Sequence, residues 1–271
     1  EGSQVSKIEF PSYRIIDSCG YIRVTPFHGG NPSQMLAFAD SVQAAIKTLY
    51  NSQIKGWIID LRQNTGGNMA PMIAGLGPLF SSEKLGSLID VNRKSDSWYY
   101  KAGRYYWDND TGWKVSTPVQ LPNKLPIAVL TSNQTGSSGE AVAISFIGND
   151  KTKSFGQSTW GLTTGNGSFE LIDGSQIFLA STIMSDRNGK EYRGSIKPDF
   201  VSDTPEKTCR KAPADKPFFL TFQAHLPTLC PFHVRSTTYI RRPASASLPV
   251  YGSGWHSARY RRTSRPVLRR L

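Results

Sequence analysis

The sequence predicts a layered α/β fold, and three observations carry that expectation. Two short apolar runs, Gly56-Trp57-Ile58-Ile59-Asp60-Leu61 and residues 125–130, have the length and composition of buried strands. Each leads through a glycine-bearing turn into a helical pattern. Upstream, Met35, Leu36, Ala39, Val42, Ala45, Ile46 and Leu49 recur at spacings of three and four, one apolar face on an otherwise polar helix. Two strand, turn, helix units in one chain put the expected site on the loops at the strand ends.

In order along the chain, residues 20–24 read as a strand that turns at Gly29-Gly30-Asn31-Pro32-Ser33, with Ser33 as the N-cap of the amphipathic helix. The strand at 56–61 follows, parallel to its neighbours, and a second helix at 69–79 comes after Gly66 and Gly67. The aromatic stretch from Trp98 to Trp113 reads either as a strand pair with one packed face or as the wall of a peptide-binding groove. The strand at 125–130 and a helix at 140–147 repeat the first pattern. Residues 169–172 and 176–182 then flank Asp173-Gly174 as an added hairpin.

The 271 residues can bury a substantial core, as one large domain or two small ones. No stretch approaches the roughly 18 apolar residues needed to span a bilayer. The chain opens on Glu1, without an initiator Met, so the lack of a secretion signal says nothing about where the parent protein works. The net charge of +12 is concentrated: residues 204–271 carry +11, and the rest is nearly neutral. At Asp203 the composition turns rich in Arg and Pro and loses apolar periodicity, which divides the chain into a core, 1–203, and a tail, 204–271, expected to be unstructured. The tail reads as a basic arm, as a nucleic-acid or membrane contact, or as sequence never selected to fold, such as an out-of-frame translation product. The last is the favoured expectation. Cys19, Cys209 and Cys230 have neither the even count of a disulfide framework nor zinc-site spacing, and a Cys209 to Cys230 bridge is the lesser alternative to free thiols.

Two segments carry chemistry. In Thr131-Ser132-Asn133-Gln134-Thr135-Gly136-Ser137-Ser138-Gly139-Glu140, a serine sits between a strand and a helix, at the positive end of the helix dipole. The N–H of Ser138 is free to donate at the first turn, and Gly136 and Gly139 let a substrate backbone come close. Taken alone, the same residues read as a helix cap closed by Glu140. The second segment, Asp60-Leu61-Arg62-Gln63-Asn64-Thr65-Gly66-Gly67, brings two glycine N–H groups to the end of a strand, and alone reads as a turn with an Asp60–Arg62 ion pair.

Together, in this order and one α/β unit apart, they resemble the tail-specific (C-terminal-processing) serine peptidase family, with its Asp-Leu-Arg-x-Asn-x-Gly-Gly run and later Ser-rich turn ending in Glu. The Thr-x-Ser-Ser-x-Glu form is most similar to the nisin-resistance-protein-like branch. The resemblance covers residues 14 to about 200. It implies a crotonase-like ββα core and hydrolysis of a peptide or protein substrate through an acyl-enzyme. It implies Ser137 as nucleophile, Glu140 as the residue orienting or charge-balancing the base, and an oxyanion hole from Gly66 or Gly67 with Ser138. It also suggests an extracytoplasmic or membrane-associated setting in bacteria.

The base is the departure from the pattern. The Lys of better-known members falls on Leu162, and Lys151 and Lys153 read as a solvated pair. The nisin-resistance branch uses a His upstream of the strand at 20–24. The core holds only His28, in a loop, because His225, His233 and His256 lie in the tail. The expectation is a base on a segment upstream of this chain, with His28 as the alternative. No metal constellation is visible and no cofactor is expected. Competing readings are a catalytically idle peptide-binding module and a nucleic-acid binder acting through the tail.

Overall fold

The computed structural model describes residues 8–108 and 110–201. The expectations for the tail, for Cys209 and Cys230 and for its three histidines fall outside them.

The order is β1 (Ser12–Ile16), β2 (Cys19–Arg23), α1 (Pro32–Leu49), β3 (Gly56–Asp60), α2 (Met69–Leu76) with a 3-10 turn at Gly77–Leu79, and β4 (Lys84–Asp90). Then come β5 (Ser95–Lys101), β6 (Arg104–Trp107), β7 (Trp113–Lys114), β8 (Ile127–Thr131), α3 (Ser138–Phe146), β9 (Thr152–Gly156), β10 (Thr164–Glu170), β11 (Gln176–Asp186), β12 (Glu191–Tyr192) and β13 (Phe200–Val201). They form a mixed α/β fold with two sheets. The first runs β1-β2-β3-β8-β9-β13 and is parallel except for the β1–β2 pair. The second runs β10-β11-β4-β5-β6-β7, antiparallel throughout, with β12 paired to β11.

β3 and β8 are buried along their whole length, as their unbroken apolar runs require at the centre of a covered sheet. Successive residues point to opposite faces. Trp57 and Ile59 join the main core, whereas Ile58, Ala128, Leu130 and Phe155 pack on the reverse face with Cys19 and Tyr21. Burial pushes the Cys19 thiol up to about 11, so it stays protonated at neutral pH.

Helix α1 starts two residues earlier than the Ser33 cap implied. Asn31 is the N-cap, its Oδ1 accepting from the N–H groups of Ser33 (3.0 Å) and Gln34 (3.4 Å), with Pro32 at the first helical position. Phe38, absent from the expected apolar face, is fully buried. The aromatic stretch packs one face on the core: Trp98 and Tyr105 are buried, and the Trp98 indole N–H donates to Ser145 Oγ on α3 (3.0 Å). Tyr99 and Tyr106 stack on the outer face at 5.0 Å.

Gly75 marks the closest approach of α2 to α1. A Cβ there would lie 2.6 Å from Val42 Cβ, on a stiff β-branched side chain. Gly75→Ala gains about 1 kcal/mol of helix propensity but forces the helices apart, at about 1–3 kcal/mol. Urea unfolding is expected to show a net loss of stability, recovered in part when Val42→Ala is added.

Candidate active site

The two chemistry-bearing turns meet because β3 and β8 are parallel neighbours, with Asp60 opposite Leu130. Both turns therefore leave the sheet at the carboxyl edge of adjacent strands. Asp60 serves the scaffold. Its carboxylate accepts from the Tyr21 hydroxyl (2.7 Å) and pairs with Arg62 (2.7 Å).

Asn64, fully buried, organises the first turn. Its side-chain Nδ2 donates to the Val24 carbonyl (3.1 Å), its Oδ1 accepts from the Gly66 N–H (3.1 Å), and its backbone carbonyl accepts from the Gly136 N–H (3.0 Å). The sequence offered it only as one letter of a motif. Gly66 and Gly67 both have positive φ, 115° and 106°. A Cβ on Gly66 would come within 2.8 Å of Ser137 Cβ, and one on Gly67 within 2.1 Å of the Phe27 carbonyl oxygen. Neither position tolerates a side chain without displacing backbone or the serine.

Ser137 is half-buried at the N-cap of α3, with φ 50° and ψ −118°. A non-glycine residue there is strained by roughly 1–3 kcal/mol and persists only when its surroundings fix it. Glu140 is what fixes it. Its Oε2 accepts from the Ser137 N–H (2.8 Å), and its Oε1 accepts from the Thr159 hydroxyl (2.5 Å) and the Gly161 N–H (2.8 Å). Glu140 itself is fully buried, its carboxylate spent on these three donors. The Thr159 hydroxyl, which the sequence did not single out, also accepts from the Ile196 N–H (2.8 Å), tying the turn to that residue.

The oxyanion-hole candidates divide. The Gly66 N–H is engaged by Asn64, whereas the N–H groups of Gly67 and Ser138 form no hydrogen bond among the described residues. The Ser138 hydroxyl donates to the Gly67 carbonyl (2.5 Å), locking the two turns together. His28 is exposed, and its Nδ1 would lie 3.1 Å from a Cβ on Gly67, at the rim of the same turn. No histidine or lysine hydrogen-bonds Ser137 among the described residues. Leu162 is 46 % exposed. Lys153 pairs with Asp199 (3.3 Å) and Lys151 donates to the Lys124 carbonyl (3.3 Å), both as surface contacts. No group of residues that could hold a metal ion occurs among those described.

Two outcomes follow from this geometry. Glu140→Gln sets an amide N–H₂ against one of three buried donors and is expected to cost about 1–3 kcal/mol in urea unfolding. Ser137→Gly removes the left-handed strain and is expected to be about 1 kcal/mol more stable than Ser137→Ala in the same measurement.

Residues 18–202 match the model of Peptidase family S41. The chain is 33% identical over 183 residues to the nisin-resistance protein of Lactococcus lactis, across 67% of this chain and 56% of that protein. It is 29% identical over 184 residues to the chloroplastic carboxyl-terminal-processing peptidase 1 of Arabidopsis thaliana, across 68% of this chain and 33% of that protein. A solved lipoprotein from Streptococcus agalactiae superposes with a TM-score of 0.63 at 31% identity, covering 74% of this chain and 68% of that one. The chain thus spans little more than half the length of the nisin-resistance protein and a third of the plant peptidase. On the family model and the strand-end turns it covers, the chain belongs to peptidase family S41.

Proposed function

We propose that residues 1–203 form the catalytic core of a serine-type endopeptidase, crotonase-like in its ββα arrangement, that hydrolyses peptide or protein substrates through an acyl-enzyme on Ser137. Residues 204–271 are a basic tail outside that core. The observation that carries the reading is the strained Ser137 at the start of α3, held by Glu140 beside two unengaged N–H groups.

In this reading the Ser137 hydroxyl gives its proton to an imidazole and attacks the scissile carbonyl carbon. The oxyanion is held by the N–H groups of Ser138 and Gly67, with Gly66 as the spacer that lets the turns touch. The imidazolium then protonates the leaving amine, and water, activated by the same base, releases the acyl group. Glu140 acts as a positioning residue for the Ser137 backbone. The base is a histidine on a segment upstream of the strand at 20–24 and of this chain, as in the nisin-resistance branch, with His28 as the alternative. Neither metal nor organic cofactor has a part. The relatives that are named as a lipoprotein and as a nisin-resistance protein support an extracytoplasmic or membrane-associated setting in bacteria. No helix among the described residues is long and apolar enough to cross a membrane.

A second reading, an idle peptide-binding module, is favoured by one fact: no base touches Ser137 among the described residues. Labelling with a serine-directed fluorophosphonate separates the two. An activated Ser137 reacts, and Ser137→Ala abolishes both labelling and turnover, the latter by about 10⁴-fold or more. Labelling that persists in His28→Ala assigns the base elsewhere, and its loss assigns the base to His28.

A further inference from the structure

Trp160 is the one exposed tryptophan among the described residues, at 57 %. An indole left in water forgoes a large apolar burial, and an exposed aromatic held rigidly beside a reactive site is the usual mark of a contact surface. Its backbone is fixed on three successive residues. The Thr159 N–H donates to the Ile196 carbonyl (3.1 Å), the Trp160 N–H to the Thr135 carbonyl (2.8 Å) and the Gly161 N–H to Glu140 (2.8 Å). Gly161, at φ 104°, turns the chain so that Leu162 follows, 46 % exposed.

The side chain stands against the residue that precedes Ser137. A Cβ on Gly136 would lie 3.5 Å from Trp160 Cβ and 3.6 Å from Cε3 of its ring. The indole therefore flanks the serine turn itself. Gly136, on which the indole rests, is buried, which leaves the side chains of Trp160 and Leu162 exposed, both apolar and neither ionisable; the Glu140 carboxylate is fully buried and spent on three donors.

We infer that Trp160 and Leu162 form a subsite that selects an apolar side chain of the substrate next to the scissile bond. The inference rests on Ser137 as the reacting residue. A bulky apolar side chain covers the indole and Leu162 and removes both from water. A polar or acidic one loses its hydration with no partner on this wall. Hydrophobic contacts of this kind discriminate by about 10- to 200-fold.

The test measures binding, so it does not depend on catalysis. The full chain carrying Ser137→Ala is titrated with fluorescent peptides that differ at one position, carrying Leu, Phe, Ser, Asp or Lys, scanned along the peptide. At one position Leu and Phe are expected to bind about tenfold tighter than Ser or Asp. The preference is expected to vanish with Trp160→Ala and largely survive Trp160→Phe. An unchanged preference in Trp160→Ala, no apolar preference at any position, or a preference for Lys through the indole face overturns the subsite. Fluorophosphonate labelling of the chain with Ser137 intact reports separately. If Ser137 labels while Trp160→Ala changes nothing, the subsite fails and the peptidase reading stands. If the apolar preference behaves as expected and Ser137 never labels, the peptidase reading fails and the subsite stands as that of a binding module.

Discussion

The site depends on one buried carboxylate. Burying Glu140 without partners would cost several kcal/mol, and the fold offsets that by aiming three donors at it, from Ser137, Thr159 and Gly161. These three come from two segments, the start of α3 and the loop after β9. The carboxylate therefore does more than cap a helix. It holds the serine backbone in a conformation that a free chain avoids, and it fixes the loop that carries Trp160.

The second constraint is the close approach of two glycine-bearing turns. Gly66 lies against Ser137 with no room for a Cβ, and a Cβ on Gly139 would come closer still to the Asn64 carbonyl oxygen, at 2.4 Å. Asn64 serves both turns, bonding one through its side chain and the other through its backbone. Strain at Ser137 and tight contact at Gly66 are local costs, offset by the large core under the first sheet.

Much of this was legible beforehand because it is local. The 3.6-residue period gave α1, the unbroken apolar runs gave β3 and β8, and the Asp-Gly turn gave the β10–β11 hairpin. The misses came where several residue types could serve. Asn31 took the cap from Ser33 because its side chain reaches two N–H groups from a position ahead of Pro32. β9, with intermediate burial along most of its length, showed no apolar run to be found.

The sequence by itself determined that Ser137 stands at a strand-to-helix turn and that a Gly-Gly turn precedes it by one α/β unit. Residue type and spacing are enough for that. Only the tertiary structure decided that Glu140 faces inward, that the Gly66 N–H is spent while Gly67 and Ser138 keep theirs, that Asn64 joins the turns, and that Trp160 flanks the serine. Each of these is a contact between segments far apart in the chain, set by the register of β3 against β8 and by which polar groups burial forces to pair. Spacing along one segment carries no record of either.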